Sequence, residues 1–311
     1  MAAVTAAMVK ELRESTGAGM MECKKALTET DGDMEAAVDV LRKSGAAKVE
    51  KKAGRIAAEG VVFTAVKDGK AAIVEVNSET DFVAKNDTFR TYVAEVADQA
   101  LTTKAADIEG FLAEESKAEA GKTVKEALDG KIAVIGENLN IRRFAKVSAA
   151  DGFVASYIHA GGKIGVLVEV ATDVVNDEIK EMARNVAMQA AALKPQFTSR
   201  DEVDEAFIEH EKSILMAQIQ NDPKEASKPE KVIQGMIQGR INKELKEFCL
   251  LDQVYVKAED GKQSVAQYVA AVAKANNADV KIKKFVRFET GEGLEKKNED
   301  FAAEVAAQMG K

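Results

Sequence analysis

The 311-residue sequence has no tryptophan and only two cysteines, two histidines and three prolines. Cys23 and Cys249 cannot build a disulfide framework, so a reducing, cytoplasmic setting is expected. With His159 and His210 they also fall short of a metal centre, which needs closer and more numerous ligands. Aromatic residues make up 5% of the chain, which leaves few stacking platforms for single-stranded nucleic acid. Positive charge is scarce as well: 44 Lys and Arg against 52 Asp and Glu give a formal net charge of −8. Phosphate neutralisation supplies much of the affinity for nucleic acid, so no direct nucleic-acid partner is expected. No apolar run approaches the ~20 residues that span a bilayer, and no membrane partner is expected. The opening MAAVTAAMVKELRE meets charge by Lys10, unlike a signal peptide, and is not the Arg- and Ser-rich pattern of a transit peptide.

What the sequence does contain is helical periodicity and a repeat. The first 45 residues read as three short helices. Thr5 caps the first, with Met8, Val9 and Leu12 on its apolar face; Gly17 and Gly19 end it. The second puts Met20, Cys23 and Leu27 on one stripe. Asp33 caps the third, with Met34, Ala37, Val38 and Leu41 at helical spacing and Gly45 as its stop. KVEKKAGR, from Lys48 to Arg55, reads as a charged linker.

GVVFTAVKDGKAAIVEVNSETD, from Gly60, aligns with GFVASYIHAGGKIGVLVEVATD, from Gly152. Each copy predicts strand, tight turn and strand, with Asp68-Gly69 and Gly161-Gly162 as the turns. A helix follows each hairpin, Thr88 to Leu101 and Asp177 to Leu193. A third strand closes each copy, NIRRFAKV from Asn140 and KIKKFVRF from Lys281. The fold class is therefore α+β, a duplicated pair of three-stranded antiparallel sheets, each with a helix on one face. Within the second copy, residues 201–248 form an insertion. Val203, Phe207, His210, Ile214 and Ala217 step by four and three, Pro223 and Pro229 interrupt, and a second helix runs from about Lys231 to Phe248. This predicts a coiled-coil hairpin, which would either fold back on the core or make a homodimer. GEGLEKKNEDFAAEVAAQM predicts a turn and a final amphipathic helix. The domains expected are 1–54, 55–150, 151–290 and a C-terminal helical module at 291–311.

No catalytic residues or cofactor emerge. SKAEAGKT, Ser116 to Thr123, is the one phosphate-loop-like stretch, but it has serine for the first glycine and no buried strand before it. A small-molecule enzyme survives only through that stretch. His159 lacks an accompanying nucleophile, and Cys23 sits on an apolar stripe where a packed thiol is common.

EVNSETDFVAKND, from Glu75, raises the sharper question. On residue types alone, Asp81 can cap the following helix while Phe82 covers the core edge. The second copy, however, has Asp173-Val174-Val175 there, so the fold does not require a phenylalanine, and the asymmetry favours an outside contact.

LRESTGAGMMECKKAL, from Leu12, and EVNSETDFVAK, from Glu75, resemble the two signature stretches of the elongation factor Ts family, over essentially the whole chain. Family members commonly carry cysteine and glutamine before TDFV, where this chain has Ser78 and Glu79. The resemblance implies a guanine-nucleotide exchange factor, not an enzyme, for the GTPase elongation factor Tu. It implies that Thr80, Asp81, Phe82 and Val83 enter the GTPase domain and disturb its Mg²⁺ site. Arg13, Met20 and Met21 would touch a helix of that domain. His159 would contact another domain of Tu, more weakly, and the C-terminal helix would add to the grip. A rival reading is a non-catalytic adaptor: the three-helix unit also resembles ubiquitin-associated (UBA-like) domains, with STGAGM as the binding loop.

Overall fold

The computed structural model describes residues 4–295. The chain opens with α1 (Ala6–Thr16), α2 (Met20–Glu29) and α3 (Met34–Lys52). Thr5 and Asp33 cap α1 and α3 as predicted, each accepting a backbone N–H from three residues on. Val9, Leu12, Cys23, Ala26, Leu27 and Ala37 form a small core between the three helices. Met20 is not on that stripe; it lies exposed at the start of α2. Gly45 does not stop α3 either. The helix continues through Lys52, so most of the predicted linker is helical. A glycine here costs roughly 1 kcal/mol against alanine, but it lets α3 pass close to Ala133, and Val49 packs into the next core. Tertiary packing outweighs local propensity.

The first repeat follows as β1 (Glu59–Lys67), β2 (Lys70–Ser78), α4 (Asp81–Ala84), α5 (Asp87–Thr102), α6 (Ile108–Ala113), α7 (Val124–Ile135) and β3 (Asn140–Ser148). The second is β4 (Gly152–His159), β5 (Ile164–Thr172), α8 (Asp177–Leu193), the inserted α9 (Glu205–Asn221), α10 (Pro223–Ala226) and α11 (Glu230–Phe248), then α12 (Val265–Ala275) and β6 (Val280–Glu289). Each repeat is a three-stranded antiparallel sheet in sequential order, β1-β2-β3 and β4-β5-β6. The fold class is α+β.

The repeat extends to backbone detail. Both sheets shift register at the same place, between Glu75 and Val76 and between Glu169 and Val170. Both open on a glycine with positive φ, Gly60 (122°) and Gly152 (137°); a Cβ there would run into the carbonyl of Val76 or Val170. The hairpin turns differ. Asp68 and Gly69 (φ 50° and 72°) make the predicted two-residue turn. In the second copy His159 pairs with Ile164, so Ala160–Lys163 form a four-residue connection and Gly161-Gly162 is not a tight turn.

Both faces of each sheet are used. Ala72, Val74 and Val76 face α5 and α7; Val166, Val168 and Val170 face α8 and α12. The opposite faces meet each other through Val62, Ala71, Ile73, Val147, Val154, Leu167 and Phe288. This explains the near-continuous apolar character of AAIVEV and VLVEV, each broken by one glutamate, where an outward-facing sheet would alternate apolar with polar residues. Gly165 permits the close approach: a Cβ would lie 2.5 Å from Val62 Cγ1 and 3.2 Å from Ile73 Cδ1.

One charge is buried in this layer. Glu75, fully buried, accepts from Arg142 Nη1 (3.0 Å), Arg143 Nε (2.5 Å), Asn77 Nδ2 (3.1 Å) and the backbone N–H of Gly291 (2.8 Å). Arg142 and Arg143 also donate to the carbonyls of Glu292 and Glu289, tying the turn after β6 to the first sheet. Of the predicted C-terminal module, this turn is described and the helix lies outside the described residues.

The inserted hairpin packs along Leu215, Ile219, Ile237, Ile241 and Leu245, with Ile208 half-buried, and Phe197, Phe207 and Phe248 stack edge-to-face at its base. His210, Ile214 and Ala217 of the predicted stripe are exposed. The four-three spacing fits two faces of α9, and the face with the longer aliphatic chains turns toward α11.

Two outcomes follow from this packing. Gly165→Ala destabilises the protein by about 1–3 kcal/mol, as overpacking of a close-packed layer does, seen as a lower urea midpoint; an unchanged midpoint contradicts the face-to-face arrangement. Cys23 and Cys249 are both buried, and burial, reinforced by Asp252, pushes the Cys249 thiol up to about 11. Neither thiol reacts with an alkylating reagent at neutral pH until denaturant is added, which mass spectrometry reads directly.

Candidate functional site

Where β2 ends, the chain turns through Thr80 into the single helical turn α4. Thr80, not Asp81, is the cap: its hydroxyl accepts the N–H of Val83 (3.3 Å). Asp81 instead takes Lys85 Nζ at 2.6 Å, one helical turn on, and that hydrogen bond holds its carboxyl below the usual carboxylate range. Ala84 is buried and Val83 packs against the first core, so the rotation of the turn carries Phe82 outward. Phe82 is 80% exposed, the most exposed of the large apolar side chains among the described residues. It does not cover the core edge. At the matching place in the second copy, Val174 packs half-buried against its own core.

Two residues the sequence reading missed hold this turn. Glu137, just past the end of α7, accepts through Oε2 from the backbone N–H groups of Glu79 (3.0 Å) and Thr80 (3.1 Å), and through Oε1 from the Thr80 hydroxyl (2.6 Å). Asn138 returns the contact: its N–H donates to Glu79 Oε1 (2.6 Å) and its side chain to the Arg55 carbonyl (2.8 Å). Ser78 is buried and donates to the Thr80 carbonyl (3.0 Å). Ser78 and Glu79, the departures from the family pattern, thus both brace the turn. The loop after α7 gave no signal for this beyond a glycine, Gly136, that ends the helix in the left-handed region.

Arg13, Met20 and Met21 lie around the α1–α2 loop. Arg13 is exposed in the last turn of α1, and its carbonyl accepts the N–H of Gly17 (2.8 Å). Met20 and Met21 are 59% and 73% exposed. The loop abuts α7: a Cβ on Gly17 would meet Val134 Cγ2 at 3.3 Å, and Val134 is itself exposed. The methionine loop and the phenylalanine turn therefore both rest on the carboxyl end of α7, one through Val134 and the other through Glu137.

His159 stands apart on the second sheet, exposed, with Nδ1 3.0 Å from the Tyr157 hydroxyl and the two rings stacked. SKAEAGKT is a loop between α6 and α7, closed by Ser116 N–H to the Lys122 carbonyl, and Thr123 caps α7 with Glu126 in a capping box. With α6 rather than a strand before it, this loop is no phosphate cradle. Among the described residues no group of three or more His, Cys, Asp or Glu could hold a metal ion. No described helix is long and apolar enough to cross a membrane.

An apolar side chain held in water on a braced turn, beside a second exposed apolar loop, suits contact with another macromolecule. Comparison with known proteins bears on which. The family model "Elongation factor TS" matches residues 79–292. Elongation factor Ts of Clostridioides difficile strain 630 is 53% identical over 311 residues, covering 99% of this chain and all of the relative. Those of Clostridium botulinum strain Eklund 17B and Trichlorobacter lovleyi are 50% and 51% identical, each again over 99% of this chain. A match of this extent and identity fixes the family: the chain belongs to elongation factor Ts, and its role lies in translation elongation.

Proposed function

We propose that the chain is the guanine-nucleotide exchange factor for elongation factor Tu, and that it works in the cytoplasm without itself making or breaking a covalent bond. The observation that carries this reading is Phe82, exposed at the tip of a turn that Glu137, Asn138 and Ser78 hold in place. A GTPase holds its nucleotide through phosphate-loop amides and a Mg²⁺ that bridges the phosphates. Burying Phe82 in the partner contributes about 1.5–3 kcal/mol. That energy favours a partner conformation in which metal and phosphate cradle no longer align.

Thr80, Asp81 and Val83 serve the same contact. Thr80 shapes the turn, Val83 anchors it to the core, and Asp81 presents an ionised carboxylate beside the ring. Arg13, Met20 and Met21 supply a second hold on the same GTPase domain, aligned with the first through α7. On this reading 1–54 and 55–150 face the GTPase domain, while 151–290, with His159, addresses another domain of Tu. Binding of factor and nucleotide is coupled reciprocally: what the factor takes from nucleotide affinity, nucleotide takes from the affinity of the factor. An excess of GTP therefore releases the factor for another round.

Phe82→Ala tests this reading. The side chain is exposed, so the variant keeps the fold and its unfolding midpoint. Loss of about 1.5–3 kcal/mol of contact lowers the rate of GDP release from Tu about ten- to a hundredfold. Stopped-flow release of a fluorescent GDP analogue checks it, and a variant as fast as the parent contradicts the reading.

A further inference from the structure

The rotation of α4 carries Phe82 outward, and a contact from outside the turn bears on that rotation. In the second repeat an equivalent strand end, Thr172-Asp173-Val174, folds its apolar residue half under the core. The difference lies in the loop opposite. In the first repeat α7 ends on Gly136 in the left-handed region (φ 89°), followed by Glu137 and Asn138. In the second, α12 gives way to Asn277 in the same conformation (φ 47°), followed by Ala278 and Asp279. Asn138 and Asp279 then play one part: each backbone N–H donates to a carboxylate of the facing strand end, Glu79 Oε1 at 2.6 Å and Asp173 Oδ1 at 2.8 Å. Glu137 corresponds to Ala278, which has nothing to accept with.

The consequence is local and electrostatic. Glu137 takes both backbone N–H groups at 79 and 80 and the Thr80 hydroxyl, and Asp81 pairs with Lys85 instead of with the facing loop. In the second repeat Asp173, the counterpart of Asp81, is drawn in toward Asp279 instead. A carboxylate accepting three hydrogen bonds is a strong tether. It also frees Thr80 to cap α4, since the same hydroxyl that donates to Glu137 accepts from Val83.

We infer that Glu137 is a positioning residue for nucleotide exchange: through the Glu79–Thr80 backbone it fixes α4 so that Phe82 projects and Asp81 keeps its exposed pair with Lys85 instead of turning in. This rests on the exchange-factor reading above. Glu137 itself need not touch the partner. Its contribution is to remove the ordering that the turn would otherwise undergo on binding.

The test compares Glu137→Ala, Glu137→Gln, Phe82→Ala and the double variant Glu137→Ala/Phe82→Ala, all in the full chain. Two readouts are taken: amide hydrogen exchange at Glu79 and Thr80 in the free protein, and release of a fluorescent GDP analogue from elongation factor Tu. In Glu137→Ala, amide protection at both positions and the release rate each fall about tenfold, as loss of charge-assisted hydrogen bonds implies. Glutamine accepts the two N–H groups through its oxygen and meets the Thr80 hydroxyl with its amide, so Glu137→Gln recovers most of both. Adding Glu137→Ala to Phe82→Ala slows release little further, because the first acts through the second. Unchanged amide protection in Glu137→Ala overturns the inference whatever the release rates. So does a parental release rate in Glu137→Ala beside a slow Phe82→Ala. A parental rate in Phe82→Ala is instead a failure of the exchange reading, and the amide protection still decides for or against Glu137.

Discussion

Burial of the central strands β2 and β5 on both faces is the constraint on which the rest of this architecture depends. Helices cover the outer faces, and the inner faces cover each other across a layer thin enough to need glycine at 165. A buried layer of this kind admits few polar groups, and each must be satisfied. Glu75 meets that condition with four donors, two of them arginines that continue to the chain after β6. A local requirement of one carboxylate thus becomes a long-range tether between the ends of the two repeats. Side chains that act on a partner have no place inside such a stack. They stand where the chain leaves it, at strand ends and at the loops between helices.

The two repeats separate what folding needs from what function needs. Register shift, opening glycine and left-handed helix end are common to both, because sheet geometry imposes them. Where the strand end meets the loop before the third strand, two facing positions differ, Phe82 against Val174 and Glu137 against Ala278. Exposure of a phenylalanine forgoes the burial energy a core would give it, roughly 1.5–3 kcal/mol. Backbone hydrogen bonds to the Glu137 carboxylate and the packing of Val83 and Ala84 hold that arrangement without burying the ring. α7 joins this turn to the methionine loop of the amino-terminal helices, so the two exposed apolar elements share one rigid support.

Much of this was legible in the sequence, and the reason differs by element. The repeat, the third strands and the helix at 177–193 follow from periodicity and turn residues, which act locally. Asp68-Gly69 was readable because two positive-φ residues between strands define one turn; Gly161-Gly162 was not, because the strand pairing continues to His159 and Ile164. Gly45 misled because its reason, the approach of Ala133, is 88 residues away in sequence. The stripe on α9 misled because spacing gives a period and not which face meets α11. Phe82 was marked by comparing the copies. Glu137 was not, since an acidic residue after a helix-ending glycine is ordinary until its hydrogen-bond partners are known.

An exchange factor accelerates nucleotide release and is regenerated. The most direct test follows release of a fluorescent GDP analogue from purified elongation factor Tu, chased with excess GTP, in the presence of a trace of the parental chain. Each molecule is expected to serve many molecules of Tu, so that release runs to completion at a rate proportional to the trace added. Release that stops at one Tu per molecule, or proceeds at the rate of Tu alone while the chain is folded, would contradict it.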